Sequence, residues 1–186
     1  MERDKLLPAR GLVFSAPMVI EILKDRKTMT RRTDQRLLSV KKGNILYVKE
    51  TWIPAFKRTE NLSGVIYRAD GPEYNSLASQ KHQWGAGYPW KSPRFMPRWA
   101  ARIYLVATAD AKGERLREIT AVDCIKEGCP SGYIPGNLSM ESQRILLEGK
   151  RDWFRETWES LHGKGSWEAN ESVVVLEFVR RIDGRK

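Results

Sequence analysis

Apolar and polar residues follow one another along the chain in a pattern that predicts several short strands and a few helices. Residues 11–14 form a first apolar run, and Ser15 and Pro17 are typical of the start of a helix. Apolar residues then follow at helical spacing as far as Leu23. We expect this first helix to end near residues 25 and 26.

Four later runs are rich in β-branched and aromatic residues, which suit a half-buried strand. They cover residues 45–52, 65–69, 103–108 and 172–179. The last run is apolar almost throughout, as is typical of a strand in the middle of a closed sheet. Residues 53–95 form a predicted insertion, which becomes irregular and rich in Gly, Pro, Ser, Gln and Trp from about residue 71.

A short helix is predicted where Thr120 and Asp123 form a capping box, with Asp in place of the usual Glu. Gly128 would end this helix. Glu127 would therefore lie on its last turn.

The C-terminal part indicates two more helices. Residues 139–148 have a poorly defined helical pattern that ends at Gly149, and residues 151–161 have a clear one. The predicted apolar face of the second helix consists of Trp153, Phe154, Trp158 and Leu161. The order of elements predicts an α+β fold, a small mixed β-barrel with helices packed at its ends. A parallel-sheet nucleotide fold is disfavoured, because neither a GxGxxG nor a Walker-type loop occurs.

The excess of basic over acidic residues indicates which kind of binding partner to expect. The chain of 186 residues is 41% hydrophobic and 30% charged, which fits a single domain covering residues 1–186. Its 33 Lys and Arg residues exceed its 23 Asp and Glu residues and give a formal charge of +10. Much of this excess lies between Lys24 and Lys42, where eight basic residues stand against two acidic ones. Such a surplus favours a polyanionic partner such as RNA, and a merely soluble basic protein is the alternative.

Other features exclude several classes of function. Cys124 and Cys129 lack the His or Cys partners of a zinc site. His82 and His162 lie far apart and support neither a metal site nor a His-based triad. No apolar run approaches the ~20 residues that cross a bilayer, and the N-terminus lacks a signal-peptide pattern. We therefore expect a cytoplasmic protein with free thiols, no metal or other cofactor and no membrane contact, and a monomer is favoured.

The basic segment from Arg26 to Arg32 carries the strongest candidate chemistry. It places Lys27 and the hydroxyl of Thr30 three residues apart among arginines. This arrangement suits the binding of an anionic or nucleobase-like ligand, and also an attack on it. A structural interpretation stays open, because cations are favourable at the C-terminal end of a helix in any case.

These pieces resemble the ASCH domain, a branch of the PUA-like β-barrel superfamily. The resemblance rests on the segment from Leu23 to Arg31, on Gly43 to Val48, on Thr120 to Glu127 and on the Val-rich C-terminal strand. The larger, phage- and prophage-type members are especially similar, since they share residues 14–18, 48–52 and 96–100. The resemblance implies a PUA-like barrel that binds a nucleoside or RNA in a basic cleft.

One small ASCH group comprises bacterial amidohydrolases that deacetylate N4-acetylcytidine with a lysine, a threonine three residues on and a distant glutamate. By motif these residues correspond to Lys27, Thr30 and Glu127. The resemblance implies Thr30 as the nucleophile and Lys27 as its base, with Glu127 orienting Lys27 or passing a proton to the leaving amine. Other ASCH relatives bind or cleave RNA, so a non-catalytic RNA-binding module and an RNA-cleaving enzyme are the alternatives.

Lys27 would act as a base near neutral pH only if its pKa fell from about 10.4 to about 7 or 8. Burial and the nearby Arg26, Arg31 and Arg32 would lower this pKa, whereas a close Glu127 would raise it. The same three arginines are candidate phosphate contacts.

A second constellation combines aromatic and charged residues that we place at the rims of neighbouring strands. Its candidate ligand or nucleic-acid contacts are Lys49, Glu50, Trp52, Arg98, Trp99 and Arg102. Arginine beside tryptophan suits base stacking or phosphate contact, and an ion pair such as Glu50 with Arg98 that closes the barrel is the alternative. Trp84, Tyr88 and Trp90 in the irregular stretch are a third candidate, for stacking on single-stranded RNA.

Overall fold

The computed structural model describes residues 10–56, 63–71, 89–130 and 139–181, which form two compact units of a mixed α+β fold. Unit 1 combines the N-terminal part as far as Leu23 with Ile45–Leu105 and Arg181, and unit 2 combines Lys24–Asn44 with Val106–Arg180. The strands are β1 (Arg10–Val13), β2 (Met29–Arg32), β3 (Ile45–Lys49), β4 (Trp52–Phe56), β5 (Ser63–Tyr67), β6 (Tyr104–Ala107), β7 (Lys112–Arg115) and β8 (Ser172–Arg180). The α-helices are α1 (Ala16–Leu23), α2 (Ala121–Lys126) and α3 (Met140–His162).

Unit 1 contains β1, α1, β3 and the hairpin of β4 and β5. β1 and β3 run parallel, with Arg10 opposite Leu46. A Cβ atom on Gly11 would lie 2.6 Å from Cζ of Tyr47, so a larger residue at this position would require the Tyr47 side chain to shift. α1 follows β1 directly and buries Val19 and Ile22, as the helical spacing predicted.

The β4–β5 hairpin corrects one prediction for unit 1, the extent of the strand at residues 45–52. The run 45–52 is two strands, because the chain leaves β3 at Glu50 and begins β4 at Trp52, opposite Tyr67 of β5. The predicted insertion 53–95 therefore begins with regular structure. Its residues 72–88, with Trp84, Tyr88 and His82, lie outside the described residues. The apolar cluster of this region consists of Trp52, Met96 and Ala100, with Val65, Tyr67 and Ala101 packed against it.

β8 is the central strand of unit 2, as its apolar run predicted. Val175 of β8 lies opposite Arg31 of β2 at one edge and opposite Lys112 of β7 at the other. β2 and β7 were not predicted, because their sequences, MTRR and KGER, contain few apolar residues. They are strands because both edges of β8 are available for pairing, which is a tertiary effect.

α3 is one continuous helix of 23 residues, so the predicted end of a helix at Gly149 is wrong. An interior glycine costs about 1 kcal/mol relative to alanine but does not by itself end a helix. Phe154 and Trp158 are buried as predicted, whereas Leu161 is 63% exposed because it lies on the last turn. The core of unit 2 consists of Leu116, Ile119, Cys124, Cys129, Phe154, Trp158, Trp167 and Val173.

Both cysteines of this core are free thiols. In the described part of the chain, no helix has the length and apolar character needed to cross a membrane.

Candidate functional site

The basic segment lies in unit 2, where it leads into β2 and contacts the C-terminal end of α2. The backbone N–H of Thr28 donates to the carbonyl oxygen of Lys126 at 2.8 Å, and the N–H of Phe178 in β8 donates to the carbonyl oxygen of Thr28 at 2.9 Å. These bonds hold the segment between α2 and β8. Lys27 is consequently buried, with 3% of its surface exposed.

The Lys27 ammonium contacts Glu127 twice. Its Nζ atom donates to Oε2 of Glu127 at 2.6 Å and to the backbone carbonyl oxygen of Glu127 at 2.8 Å. Glu127 is the C-cap residue of α2 and is only 4% exposed. The capping box at the other end of α2 is confirmed, since Thr120 and Asp123 each accept a hydrogen bond from the other's backbone N–H.

Arg31 joins the same network on the other side of Glu127. Its guanidinium contacts Glu114 at 2.7 Å, Asp123 at 3.1 Å and Glu127 at 3.3 Å. Arg31 is 4% exposed and its guanidinium carbon lies 6.0 Å from the ring centroid of Phe154. This geometry favours a positioning role for Arg31, because a guanidinium engaged by three carboxylates has little capacity left for a phosphate.

Burial lowers the pKa of Lys27 below its ordinary value of 10.5. Glu127 opposes this shift, whereas the positive charges of Arg32 and Arg31 reinforce it. A lowered pKa is what Lys27 would need in order to act as a base near neutral pH. Asp123 shows the reverse balance: burial acts to raise its pKa, but hydrogen bonds from Thr120 and the charge of Arg31 lower it overall.

Thr30 is buried in β2, at 4% exposure, but it does not share this network. Side chains alternate along a strand, so Met29 and Arg31 lie on one face of β2 and Thr30 on the other. The Met29 sulfur accepts a hydrogen bond from Arg31 at 3.2 Å, which agrees with this alternation. The Thr30 hydroxyl makes no hydrogen bond to another described residue. The structure therefore brings Lys27 and Glu127 into contact. The Thr30 side chain lies on the face of β2 opposite to that of Arg31, outside this network.

The two other arginines of the basic segment differ in exposure. Arg26 is exposed and Arg32 is half-buried. Burial lowers the pKa of Arg32, against the attraction of Glu127. A cavity of about 450 Å³ in the same unit is lined by Ala121 and by residues from the first half of α3, and Lys27, Thr30 and Glu127 are not among its lining residues.

Two charged residues of the second constellation, Glu50 and Arg102, form an ion network within unit 1. Glu50 is 1% exposed and accepts two hydrogen bonds from Arg102, at 2.9 Å and 3.0 Å. Arg102 also binds the carboxylate of Asp70. The suggested pair of Glu50 with Arg98 is wrong, because Arg98 opens a 3₁₀ turn, Arg98–Ala100, and Arg102 follows that turn.

Tyr67 and Arg102 complete this network. The guanidinium carbon of Arg102 lies 3.9 Å from the centroid of the Tyr67 ring, and the Tyr67 hydroxyl donates to the carbonyl oxygen of Ala100 at 2.7 Å. Burial raises the pKa of Tyr67 to about 12. Burial also raises the pKa of Glu50, although Arg102 acts against this.

The aromatic residues of the constellation pack beside the ion network, since Tyr67 packs against the apolar cluster that contains Trp52. Trp52 is buried, and the exposed Trp99 packs edge-on against it at 5.9 Å between ring centroids, with an interplanar angle of 89°. Lys49 is half-buried and donates to the carbonyl oxygen of Arg94 at 2.6 Å. Trp90, from the third candidate group, is half-buried.

Sequence reasoning missed two acidic partners, Glu114 of Arg31 and Asp70 of Arg102. Glu114 lies 83 residues from Arg31, and Asp70 lies 32 residues from Arg102, so no local spacing links them. Among the described residues, no group of three or more His, Cys, Asp or Glu side chains is placed to hold a metal ion. His162 stacks on Trp158 at 4.0 Å between ring centroids.

Comparisons of the chain with protein-family models, with curated proteins and with solved structures give no significant match. The fold and the networks define a mixed α+β protein with a buried lysine–glutamate–arginine cluster in unit 2 and a glutamate–arginine–aspartate cluster in unit 1.

Proposed function

We propose that the chain is an ASCH-type protein with a PUA-like barrel, which binds a nucleoside or RNA in the cytoplasm and hydrolyses an acylated base amide such as that of N4-acetylcytidine. The observation that carries this proposal is the buried contact between Lys27 and Glu127, which are 100 positions apart in the sequence. Side chains that far apart meet only because the fold positions them. A buried lysine with a lowered pKa and a carboxylate partner is a frequent property of active sites.

In the proposed reaction the Thr30 oxygen attacks the amide carbonyl and Lys27 in its neutral form takes the hydroxyl proton. The bond from the carbonyl carbon to the base nitrogen then breaks, and that nitrogen receives the proton held by Lys27. Water attacks the acyl-threonine ester, so that the acyl group leaves as the free acid and Thr30 regains its proton. Glu127 orients Lys27 throughout through the 2.6 Å contact.

The position of Thr30 sets a condition on this reaction. A substrate must bring Thr30 and Lys27 within hydrogen-bond reach, because the Lys27 ammonium binds Glu127 and the Thr30 hydroxyl does not take part in this contact. Catalytic hydrogen bonds often tighten only when substrate is bound.

The proposal is tested by incubating the pure protein with N4-acetylcytidine and measuring cytidine. Thr30→Val removes the hydroxyl with little change in shape, whereas Thr30→Ser keeps it. Turnover by the wild type and Thr30→Ser, with none by Thr30→Val or Lys27→Met, supports the proposal. Turnover by Thr30→Val at the wild-type rate excludes Thr30 as the nucleophile.

A second candidate is a non-catalytic RNA-binding module. It is favoured by the fact that the Lys27 ammonium already binds both the side chain and the backbone of Glu127, as a purely structural lysine would. Tight, salt-sensitive RNA binding without turnover of N4-acetylcytidine would support this module instead. Shortening of a labelled RNA, lost in Lys27→Met, would indicate the RNA-cleaving alternative.

A further inference from the structure

We infer that unit 1 carries a surface that binds single-stranded RNA by stacking bases on exposed aromatic rings. We name it the aromatic turn surface, and it consists of Lys91, Arg94, Phe95, Arg98 and Trp99. The choice of RNA as the polymer rests on the proposed function. The surface itself rests on exposure, backbone geometry and charge, and needs no hydrolysis at Lys27.

Two large aromatic side chains of this surface are open to solvent. Phe95 is 75% exposed and Trp99 is 71% exposed, whereas Met96 and Ala100, which follow them directly, are 2% and 1% exposed. The sulfur of Met96 also accepts a hydrogen bond from the backbone N–H of Glu50 at 3.2 Å. The buried residues thus anchor the segment, and the aromatic ring next to each of them points outwards.

The backbone that presents these rings is held in two tight turns. Pro93–Phe95 and Arg98–Ala100 are both 3₁₀ turns, and the Ser92 side chain caps the first of them. Trp99 is further fixed by its edge-on contact with the buried Trp52 ring. A ring held in place before binding loses little conformational freedom when a base stacks on it.

The charges around the rings are of one sign. Residues 89–102 contain no Asp or Glu. Arg102 is engaged by Glu50 and Asp70, but no carboxylate of the described residues pairs with Lys91, Arg94 or Arg98. Arg94 and Arg98 therefore remain available to phosphates, and Lys91, whose ammonium lies 5.3 Å from the centroid of the Trp52 ring, adds positive charge beside them.

Aromatic faces together with unpaired cations fit a single strand better than a duplex. Bases of a single strand can unstack and lie on an aromatic side chain while the phosphates meet the cations. In a duplex the bases are stacked on one another, so Phe95 and Trp99 would gain nothing. An acidic peptide would use the cations but would not require aromatic rings.

The test is the affinity of the full chain for a fluorescently labelled single-stranded oligoribonucleotide, measured by anisotropy at several salt concentrations. Trp99→Leu keeps an apolar side chain and removes the aromatic face, and we expect it to weaken binding by roughly tenfold. Trp99→Phe should restore most of the affinity. Arg94→Ala should lower the salt dependence by about one phosphate contact, whereas Lys164→Ala, an exposed cation of unit 2, should not.

Equal binding of the same sequence as a duplex, or wild-type affinity in Trp99→Leu, would overturn the inference. Equal affinity for single-stranded DNA would overturn the assignment to RNA. The assay requires no turnover, so RNA binding that depends on Trp99 would stand even if N4-acetylcytidine is not hydrolysed. Conversely, if N4-acetylcytidine is hydrolysed but RNA binding does not depend on Trp99, the proposed function would stand and the aromatic turn surface would be excluded.

Discussion

Lys27 Nζ donates to the carboxylate of Glu127 at 2.6 Å and to the backbone carbonyl oxygen of the same residue at 2.8 Å. The last carbonyls of a helix lack partners within the helix, and a cation there interacts favourably with the helix dipole. Glu127 is the C-cap of α2. The Lys27 ammonium therefore both binds a carbonyl oxygen at the end of this helix and pairs with a buried carboxylate. Stability and proposed catalysis therefore depend on the same contact.

This contact predicts unequal losses of stability for its two members. Glu127 contacts both Lys27 and Arg31, so Lys27→Met leaves Glu127 with Arg31 at 3.3 Å. Glu127→Gln removes the carboxylate from both cations. We expect Glu127→Gln to cost about 3 kcal/mol or more in the free energy of unfolding, and Lys27→Met to cost less.

Urea unfolding of the two single variants and the double variant measures the coupling. The double variant should lose less than the sum of the single losses, because neither residue then leaves a charge behind. Strict additivity would show that the Lys27–Glu127 contact contributes little.

The lowered pKa of Lys27 predicts the pH dependence of hydrolysis. Because the base must be neutral, the rate on N4-acetylcytidine should rise with pH along a limb whose pKa lies below 10.5. Glu127→Gln removes a charge that holds the proton on Lys27, so this limb should move to lower pH. Lys27→Arg stays protonated and should be inactive at every pH. A limb that stays in place in Glu127→Gln would argue against Lys27 as the titrating group.

The same shift has a defined sign for stability. Between the folded pKa of Lys27 and its unfolded value of 10.5, the unfolded chain binds more protons than the folded one. The contribution of Lys27 to the free energy of unfolding therefore increases as pH rises through this window. In Lys27→Met this part of the pH dependence should be absent from urea unfolding curves.

Local patterns predicted the parts of the fold that local interactions determine. The capping box of Thr120 and Asp123 is confirmed, because both hydrogen bonds join residues three apart. The buried strand β8 is confirmed by its apolar run. β2 and β7 were missed, since their polar sequences become strands only through pairing with β8.

The candidate site was predictable only where the family resemblance indicated that two residues far apart in the sequence are partners. The contact of Lys27 with Glu127 came from the motif, and no spacing in the sequence indicates it. The segment that contains Lys27 and Thr30 was predicted to lie at the C-terminal end of a helix. Thr30 lies instead in the strand β2, where side chains alternate between the two faces, so Thr30 and Arg31 point to opposite faces. Partners such as Glu114 follow from the tertiary fold alone.

The network of Glu50 and Arg102 predicts a second asymmetry, in unit 1. Glu50 is 1% exposed, so Arg102→Met leaves a buried carboxylate without its guanidinium and should cost about 3–5 kcal/mol. Glu50→Gln should cost less, because Arg102 is partly exposed and retains Asp70. Urea unfolding of both variants checks this order, and an equal loss would contradict it.

That network also has a pH signature. Burial raises the pKa of Glu50 above 4.5 despite Arg102. A carboxyl with a raised folded pKa contributes stability that is fully present below its unfolded pKa and is lost as pH rises through the folded pKa. Removal of Arg102 raises the folded pKa further, so the deficit of Arg102→Met should be largest near neutral pH and smaller in acid. Unfolding curves at about pH 7 and about pH 5 compare the two conditions.

Two glycines, one within α3 and one at its C-cap, test whether α3 is one helix or two. Gly149 is exposed within the helix and a Cβ atom there would meet nothing within 4 Å, so Gly149→Ala should stabilise the protein by about 0.5–1 kcal/mol. Gly163, the C-cap residue, has a φ of 95°, so Gly163→Ala should destabilise it by about 1 kcal/mol or more. If α3 instead ended at Gly149, alanine at position 149 would be destabilising as well. Opposite signs for the two variants in urea unfolding therefore support the continuous helix, because only a glycine at a helix end needs a positive φ.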